Sequence, residues 1–409
     1  MTGMAGRWTR AVKIQTLGAV CALVLVGCGG EEATTKPGAT AKPGATATTA
    51  APAQAKGRPA RGTLAFDIAA NCTKAVGDGK DFLAVACPGS VSRLDQASGK
   101  ARWTVNDPTW TKINSVRLGG EVAVAVVSVM VPASGLTPAK EGVQVVAVAD
   151  GKRVWATDLY PPFSPEPQFA TTADVTVVLQ RGTDARVVVE ASLAAYDTKS
   201  GRQRFRPSVD KAQCSKFDKV MILKDSVAGC GQRFSLGDGS ILPYKVPNST
   251  IVAESDPGSD LAVAFGEGNQ GDNGFTIFRA DGTPNGKASG TFLGFASGGV
   301  VQKNSDSTGR VGSVSALNPD GSRRWEQPLT LADRGIFDNV SFANGAAWVR
   351  NTSSELIAID GATGKAATPL PVSTVGLGTT AKVVATTANV VVVSTGRESG
   401  SPSLKAIAL

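Results

Sequence analysis

"VSALNPDGSRRW", Val314–Trp325, alternates apolar and polar residues, turns at Asn318–Gly321 and runs on into a second extended stretch that ends on Trp325. A period of two with an Asp-Gly turn in the middle is the pattern of a β-hairpin. The chain writes it repeatedly. Arg93–Trp103 reads "RLDQASGKARW", Val146–Trp155 "VAVADGKRVW" and Ala195–Phe205 "AYDTKSGRQRF". Shorter variants follow at Phe234–Leu242, Phe278–Thr283, Ala316–Trp325 and Ala358–Thr368. The turn glycines Gly99, Gly151, Gly201, Gly239, Gly282, Gly321 and Gly364 lie 38 to 52 residues apart, about 44 on average. A period of this size marks a propeller or a solenoid.

Each unit has a physical logic. Glycine takes the positive φ that the turn requires. The Asp or Asn before it can bond the turn backbone. An aromatic residue four places after Gly99, Gly151, Gly201 and Gly321 is placed to pack between units. A second pattern supports the first: "ATTADV" at Ala170–Val175 returns as "ATTANV" at Ala385–Val390, with a similar shape in "FANGAAWV" at Phe342–Val349. These read as the first two strands of a four-stranded unit whose last two strands are the Asp-Gly hairpin.

With those residues in view, the chain resembles the PQQ-enzyme repeat, a propeller-blade motif of the form A-x-D-x-x-T-G-x-x-x-W. Ala195, Asp197, Ser200, Gly201 and Phe205 fit it, as do Asp95, Ser98, Gly99 and Trp103. Ala358, Asp360, Thr363 and Gly364 fit until Thr368 stands in place of Trp. The resemblance spans roughly 62–409 and implies an all-β propeller. The terminal "SLKAIAL", Ser403–Leu409, is a third strand with no hairpin after it, and "GTLAFDIA", Gly62–Ala69, is a strand with no hairpin of its own. Pairing them closes the ring and removes both edges. The expected architecture is therefore an eight-bladed β-propeller over 63–409. Seven blades, or a two-domain β-sandwich, are the alternatives.

The front of the chain reads as an address. Arg7, Arg10 and Lys13 precede an uncharged stretch, Ile14–Gly30, whose apolar centre is Leu17–Gly27. That centre falls short of the ~20 apolar residues that span a bilayer and suits a secretory signal. "LVGC", Leu25–Cys28, resembles the bacterial lipoprotein box, which implies cleavage after residue 27 and lipidation of Cys28. Residues 28–62 then form a stalk. Glu31–Gly62 holds no aromatic residue and no Leu, Ile, Val or Met, and it repeats "KPGAT". Such a segment cannot bury a core, and as a flexible coil it would span roughly 30 Å. The expected location is extracytoplasmic, with the protein tethered to the cell membrane through its lipid.

Cysteine usage agrees with export. Cys21 leaves with the signal, so Cys72, Cys87, Cys214 and Cys230 remain, and four cysteines allow three pairings. The local one, Cys72 with Cys87 and Cys214 with Cys230, places each pair at a similar offset before a hairpin, in blades one and four.

Composition narrows the function classes. The chain of 409 residues has no histidine, which removes the commonest general base and metal ligand. Without the signal segment, 39 basic residues stand against 34 acidic ones, and they are scattered. A nucleic-acid surface needs them concentrated, so no nucleic-acid partner is expected. "GEGNQGDNG", Gly266–Gly274, offers Glu267, Asn269, Asp272 and Asn273 as oxygen ligands for calcium, with "ESDPGSD", Glu254–Asp260, just upstream. The spacing does not match an EF-hand loop, and an ordinary hairpin loop is the simpler reading. The family resemblance raises a PQQ oxidoreductase, many of which place an adjacent Cys–Cys pair beside the cofactor with calcium ligands and an aspartate base. This sequence has no Cys–Cys pair, and its aspartates sit mainly in turns.

No catalytic residue, cofactor or metal site is therefore assigned from sequence. The same architecture occurs in an outer-membrane barrel-assembly lipoprotein and in extracellular sensor domains. The expected function is a non-catalytic scaffold or sensor that binds an envelope protein or small ligand on one propeller face. An envelope enzyme, quinoprotein or glycan-acting, is the alternative. "VPASGLTPAKEG", Val131–Gly142, and "YPPFSPEPQ", Tyr160–Gln168, are candidate contact loops.

Overall fold

A computed structural model of the protein describes residues 59–131, 133, 140–159, 167–184, 187–214, 219–245, 250–256, 259–266, 274–306, 310–330, 340–377, 381–395 and 403–409. The expected signal segment, Cys28 and most of the stalk lie outside them. The described residues belong to one compact unit, Gly57–Leu409, built almost wholly of antiparallel sheet. There are eight sheets of four strands each. Blades 1 to 7 are consecutive runs, 74–106, 110–159, 168–205, 220–242, 250–288, 291–328 and 340–371. Blade 8 takes three strands from 382–408 and its outermost from Leu64–Asp67. The expected eight-bladed propeller is the fold observed, and the ring closes as expected, with Leu64 opposite Ile407 and Asp67 opposite Lys405. The amide of Gly62, first residue of the expected closing strand, also donates to Ala408 O at 2.9 Å. The innermost strands touch in the cyclic order 6, 7, 8, 1, 2, 3, 4, 5.

Why these strands form is clearest in blade 2. Val122–Val131 is nearly all Val and Ala. Ala123, Ala125, Val127 and Val129 pack toward blade 1, while Val122, Val124 and Val126 pack toward blade 3. Alternate side chains of a strand point to opposite faces, so a blade with a neighbour on each side needs apolar residues at every position. The core is accordingly a set of eight layers, one between each adjacent pair of blades.

The aromatic residues after the turn in blades 1, 2, 3 and 6, and Phe66 in blade 8, are the wedges of these layers. Trp103 lies on Gly151 of the next blade, Trp155 on Gly201, Phe205 on Gly239, Trp325 on Gly364 and, across the ring closure, Phe66 on Gly99. Two wedges also lock by hydrogen bonds. Trp155 Nε1 donates to Thr198 O at 2.8 Å and Trp325 Nε1 to Gly361 O at 3.2 Å, each a carbonyl three residues before the next turn glycine. Trp103 meets a tighter turn, where both Asp150 and Gly151 have positive φ, and its buried Nε1 has no partner. Blade 5 departs from the rule. Gly286 stands four places after Gly282, and its backbone lies directly on Asp320 and Gly321 of blade 6.

Both local cysteine pairs are joined, Cys72 to Cys87 and Cys214 to Cys230. Each ties the chain entering a blade to the end of that blade's second strand. Their sequence separations of 15 and 16 correspond to about 3 kcal/mol apiece in the chain-entropy account. Reduction with a phosphine should therefore lower the thermal midpoint, and the double variant Cys72→Ala/Cys87→Ala should lose about half of that shift. A midpoint indifferent to reductant would refute the assignment of stability to these bonds.

Candidate functional site

Antiparallel order puts the first and third turns of every blade on one face of the disc and the second turn, with the inter-blade connection, on the other. The first face carries the repeat turns, and their aspartates are structural. Asp197 Oδ1 accepts from Ser200 N at 2.9 Å and Ser200 Oγ at 2.8 Å, and Oδ2 accepts from Arg204 at 3.1 Å. Those bonds, the Ser200 amide first, hold its carboxyl down at about 2. Asp95 has the same partners in Ser98 and Arg102, and Asp360 has Thr363. Both carboxyls are held below the usual carboxylate range, each chiefly by the hydroxyl it accepts. Carboxylates committed in this way are poor proton acceptors and serve the turn.

On the same face, a groove of about 570 Å³ lies between blades 1 and 2 and reaches Thr171 of blade 3. Arg93 enters it from the third strand of blade 1, Ser90–Leu94. Its guanidinium carbon is 4.3 Å from the centroid of the Phe82 ring, and Nη2 is 4.0 Å from Asp81 Oδ2. Phe82 is buried and meets Trp103 edge-on at 6.4 Å, so the ring is a fixed shelf. Arg117 enters from the innermost strand of blade 2, Trp110–Gly119, and lies 5.5 Å from the ring of buried Phe169 in blade 3. Glu121 and Lys80 are exposed at the rim. Two small residues let the inner strands converge here. A Cβ on Gly77 would sit 2.3 Å from Thr386 O, and one on Gly119 would sit 2.4 Å from Thr172 O.

The charge of Arg117 also acts on a carboxyl of blade 5. Glu254 ends the innermost strand of blade 5, Thr250–Ser255. Its side chain is solvent-accessible, yet protein surrounds it on the channel wall, and this enclosure raises its carboxyl. The positive charges of Arg117 and of Lys219, next to blade 4, oppose the rise.

The cysteines named from sequence are paired, as described. Cys28, Glu267, Asn269, Asp272 and Asn273 lie outside the described residues. Glu254 pairs opposite Val263 and the Asp256 amide donates to Leu261 O, whereas the "GEGNQGDNG" segment beyond Gly266 lies outside the described residues up to Gly274. Among the described residues no group of three His, Cys, Asp or Glu could hold a metal ion. The contact loops at 131–142 and 160–168 are described only at their ends, which lie on the face opposite the groove. Sequence reading singled out none of Arg93, Arg117, Phe82 and Phe169 as site residues, and it named Glu254 only within a possible calcium-binding stretch. Only their convergence from separate blades makes them a site.

No family model matches the chain. No curated protein matches it either. Among solved structures, the computationally designed Ika8 protein is similar with a TM-score of 0.50 and 12% identity, over 85% of this chain and 99% of that one. The quinohemoprotein alcohol dehydrogenase of Comamonas testosteroni gives 0.47 and 12%, over 85% and 76%. BamB from Moraxella catarrhalis gives 0.34 and 13%, over 81% and 83%. At such identities the likeness concerns the fold alone. The two disulfides point to an oxidising, extracytoplasmic compartment. Among the described residues no helix is long and apolar enough to cross a membrane.

Proposed function

We propose that the protein is a binding module of the bacterial cell envelope, a propeller with PQQ-enzyme-type repeats held at the membrane by lipid on Cys28. The observation that carries the binding role is the groove between blades 1 and 2. It is a polar depression on a rigid ring, with two arginines set against fixed aromatic rings. Preformed concave sites with a few placed polar groups are what ligand recognition uses. The disulfides and the "LVGC" segment support the location. BamB, a structural neighbour, gives a precedent for the fold and no more.

The test uses membranes from cells expressing the full chain, crosslinked and then purified through the protein. One defined envelope partner should be recovered with the wild type and lost with Arg93→Gln/Arg117→Gln. Cys28→Ala should move the protein out of the membrane fraction. Dye reduction on adding PQQ and calcium, or glycan turnover with no partner captured, would replace this reading with an envelope enzyme.

A further inference from the structure

The groove also specifies a ligand chemistry, an inference that rests on the binding role proposed above. Most described arginines are satisfied by the protein itself. Arg102 and Arg204 bond the turn aspartates, Arg153 bonds Asp107, Arg181 bonds Cys214 O, Arg324 bonds Ser297 O and Arg350 bonds Leu377 O. Arg93 and Arg117 differ in three ways at once. They line the same groove, each lies against a buried aromatic ring, and neither donates a hydrogen bond to a described protein acceptor, Arg93 having only its 4.0 Å ion pair with the exposed Asp81. The Arg93 side chain is only 16% exposed, and its Nε is buried with no partner. A buried donor left unpaired is costly. The guanidinium carbons lie over their rings at 4.3 and 5.5 Å, and an arginine presents its N–H groups as a fork that fits two oxygens of an oxyanion.

The rim carries two carboxylates, Asp81 and Glu121, against one amine, Lys80. Asp81 is 76% exposed at the mouth, and Glu121 is exposed beside it. Asp78 is neutral to this argument, since its carboxylate accepts from the amides of Lys80 and Phe82 in its own loop. A polyanion entering past Asp81 and Glu121 would be repelled. A molecule with a carboxylate at one point and a cation at another would satisfy floor and rim together. The volume of about 570 Å³ suits a ligand of dipeptide size or one end of a longer chain. We propose that the groove between blades 1 and 2 binds a zwitterionic, peptide-like ligand, its carboxylate held by Arg93 and Arg117 and its cationic group by Asp81 and Glu121.

Arginine side-chain Nε–Hε resonances of the labelled full chain report this directly. The probes are the dipeptide Gly–Lys, its C-terminal amide, and glutarate, which has carboxylates and no cation. Gly–Lys should shift the Arg93 and Arg117 signals saturably at or below about 50 mM, the amide should not, and glutarate should bind at least about tenfold more weakly. Arg93→Gln/Arg117→Gln should abolish the Gly–Lys response in a protein whose circular dichroism and melting match the wild type. Asp81→Asn/Glu121→Gln should remove the preference over glutarate while keeping the carboxylate response. No saturable shift with Gly–Lys, an equal response to the amide, or glutarate binding as tightly would overturn the proposal. If the double arginine variant does not fold, Arg93→Lys and Arg117→Lys, tested singly, should each weaken Gly–Lys, and unchanged binding in both would overturn it. Capture of an envelope partner from membranes without any Gly–Lys response would end this inference and leave the binding role standing.

Discussion

Removing Ser403–Leu409 is expected to leave a chain with no cooperative thermal transition. The strand Ser403–Ala408 is hydrogen-bonded on both sides, to Val390–Thr395 and to Leu64–Asp67. Leu404, Ala406, Ile407 and Ala408 are all buried. Burial of Leu404 and Ile407 alone contributes about 1.5–3 kcal/mol each. The deletion also uncovers Val391, Val392 and Val393, which are fully buried, and frees the strand that seats Phe66 against Gly99. Together these losses reach about 5–10 kcal/mol, comparable with the whole stability of a typical domain, about 5–15 kcal/mol. Circular dichroism melting of the truncated and full chains checks this. A midpoint within about 2 °C of the full chain would show that this pairing does not hold the ring together.

The second large effect is expected from Gly201→Ala, compared with Gly345→Ala. Both glycines have positive φ, +70° and +77°. A Cβ at Gly345 meets nothing within 4 Å, so its cost is the left-handed backbone alone, about 1–2 kcal/mol. A Cβ at Gly201 would sit 2.4 Å from Trp155 Cγ and 2.5 Å from its Cβ. Trp155 cannot yield freely, because its Nε1 bonds Thr198 O and its ring stacks on Tyr196 at 5.8 Å. Adding the displaced wedge brings Gly201→Ala to about 3–5 kcal/mol. Denaturant midpoints of the two variants give the comparison. Equal midpoints would show that the turn glycine answers only to its φ, and that the wedge carries no energy.

The elements that were legible share a short range in the chain. Asp197, Ser200 and Gly201 make their turn with one another, so the motif is visible within five residues. Cys72 and Cys87 bracket one hairpin, and the partner of each was readable from spacing. The period of about 44 residues converted one hairpin into a wheel. The second reason for the turn glycine was less visible. Gly201 is excluded from bearing a side chain by Trp155, 46 positions earlier, and that contact belongs to the packing of two blades.

By itself, the order of residues determined the four-stranded unit, its repetition, the strand shared by the two ends and the cysteine pairs, since each depends on local turn chemistry or on a pattern counted along the chain. Only the closed ring decided the site. Arg93, Phe82, Arg117 and Phe169 lie on three different blades, and nothing in their local sequence marks them as site residues. The physical reason is that alternation specifies which face of a strand a side chain takes, whereas curvature of the whole ring specifies which of those faces meet across a groove or a channel.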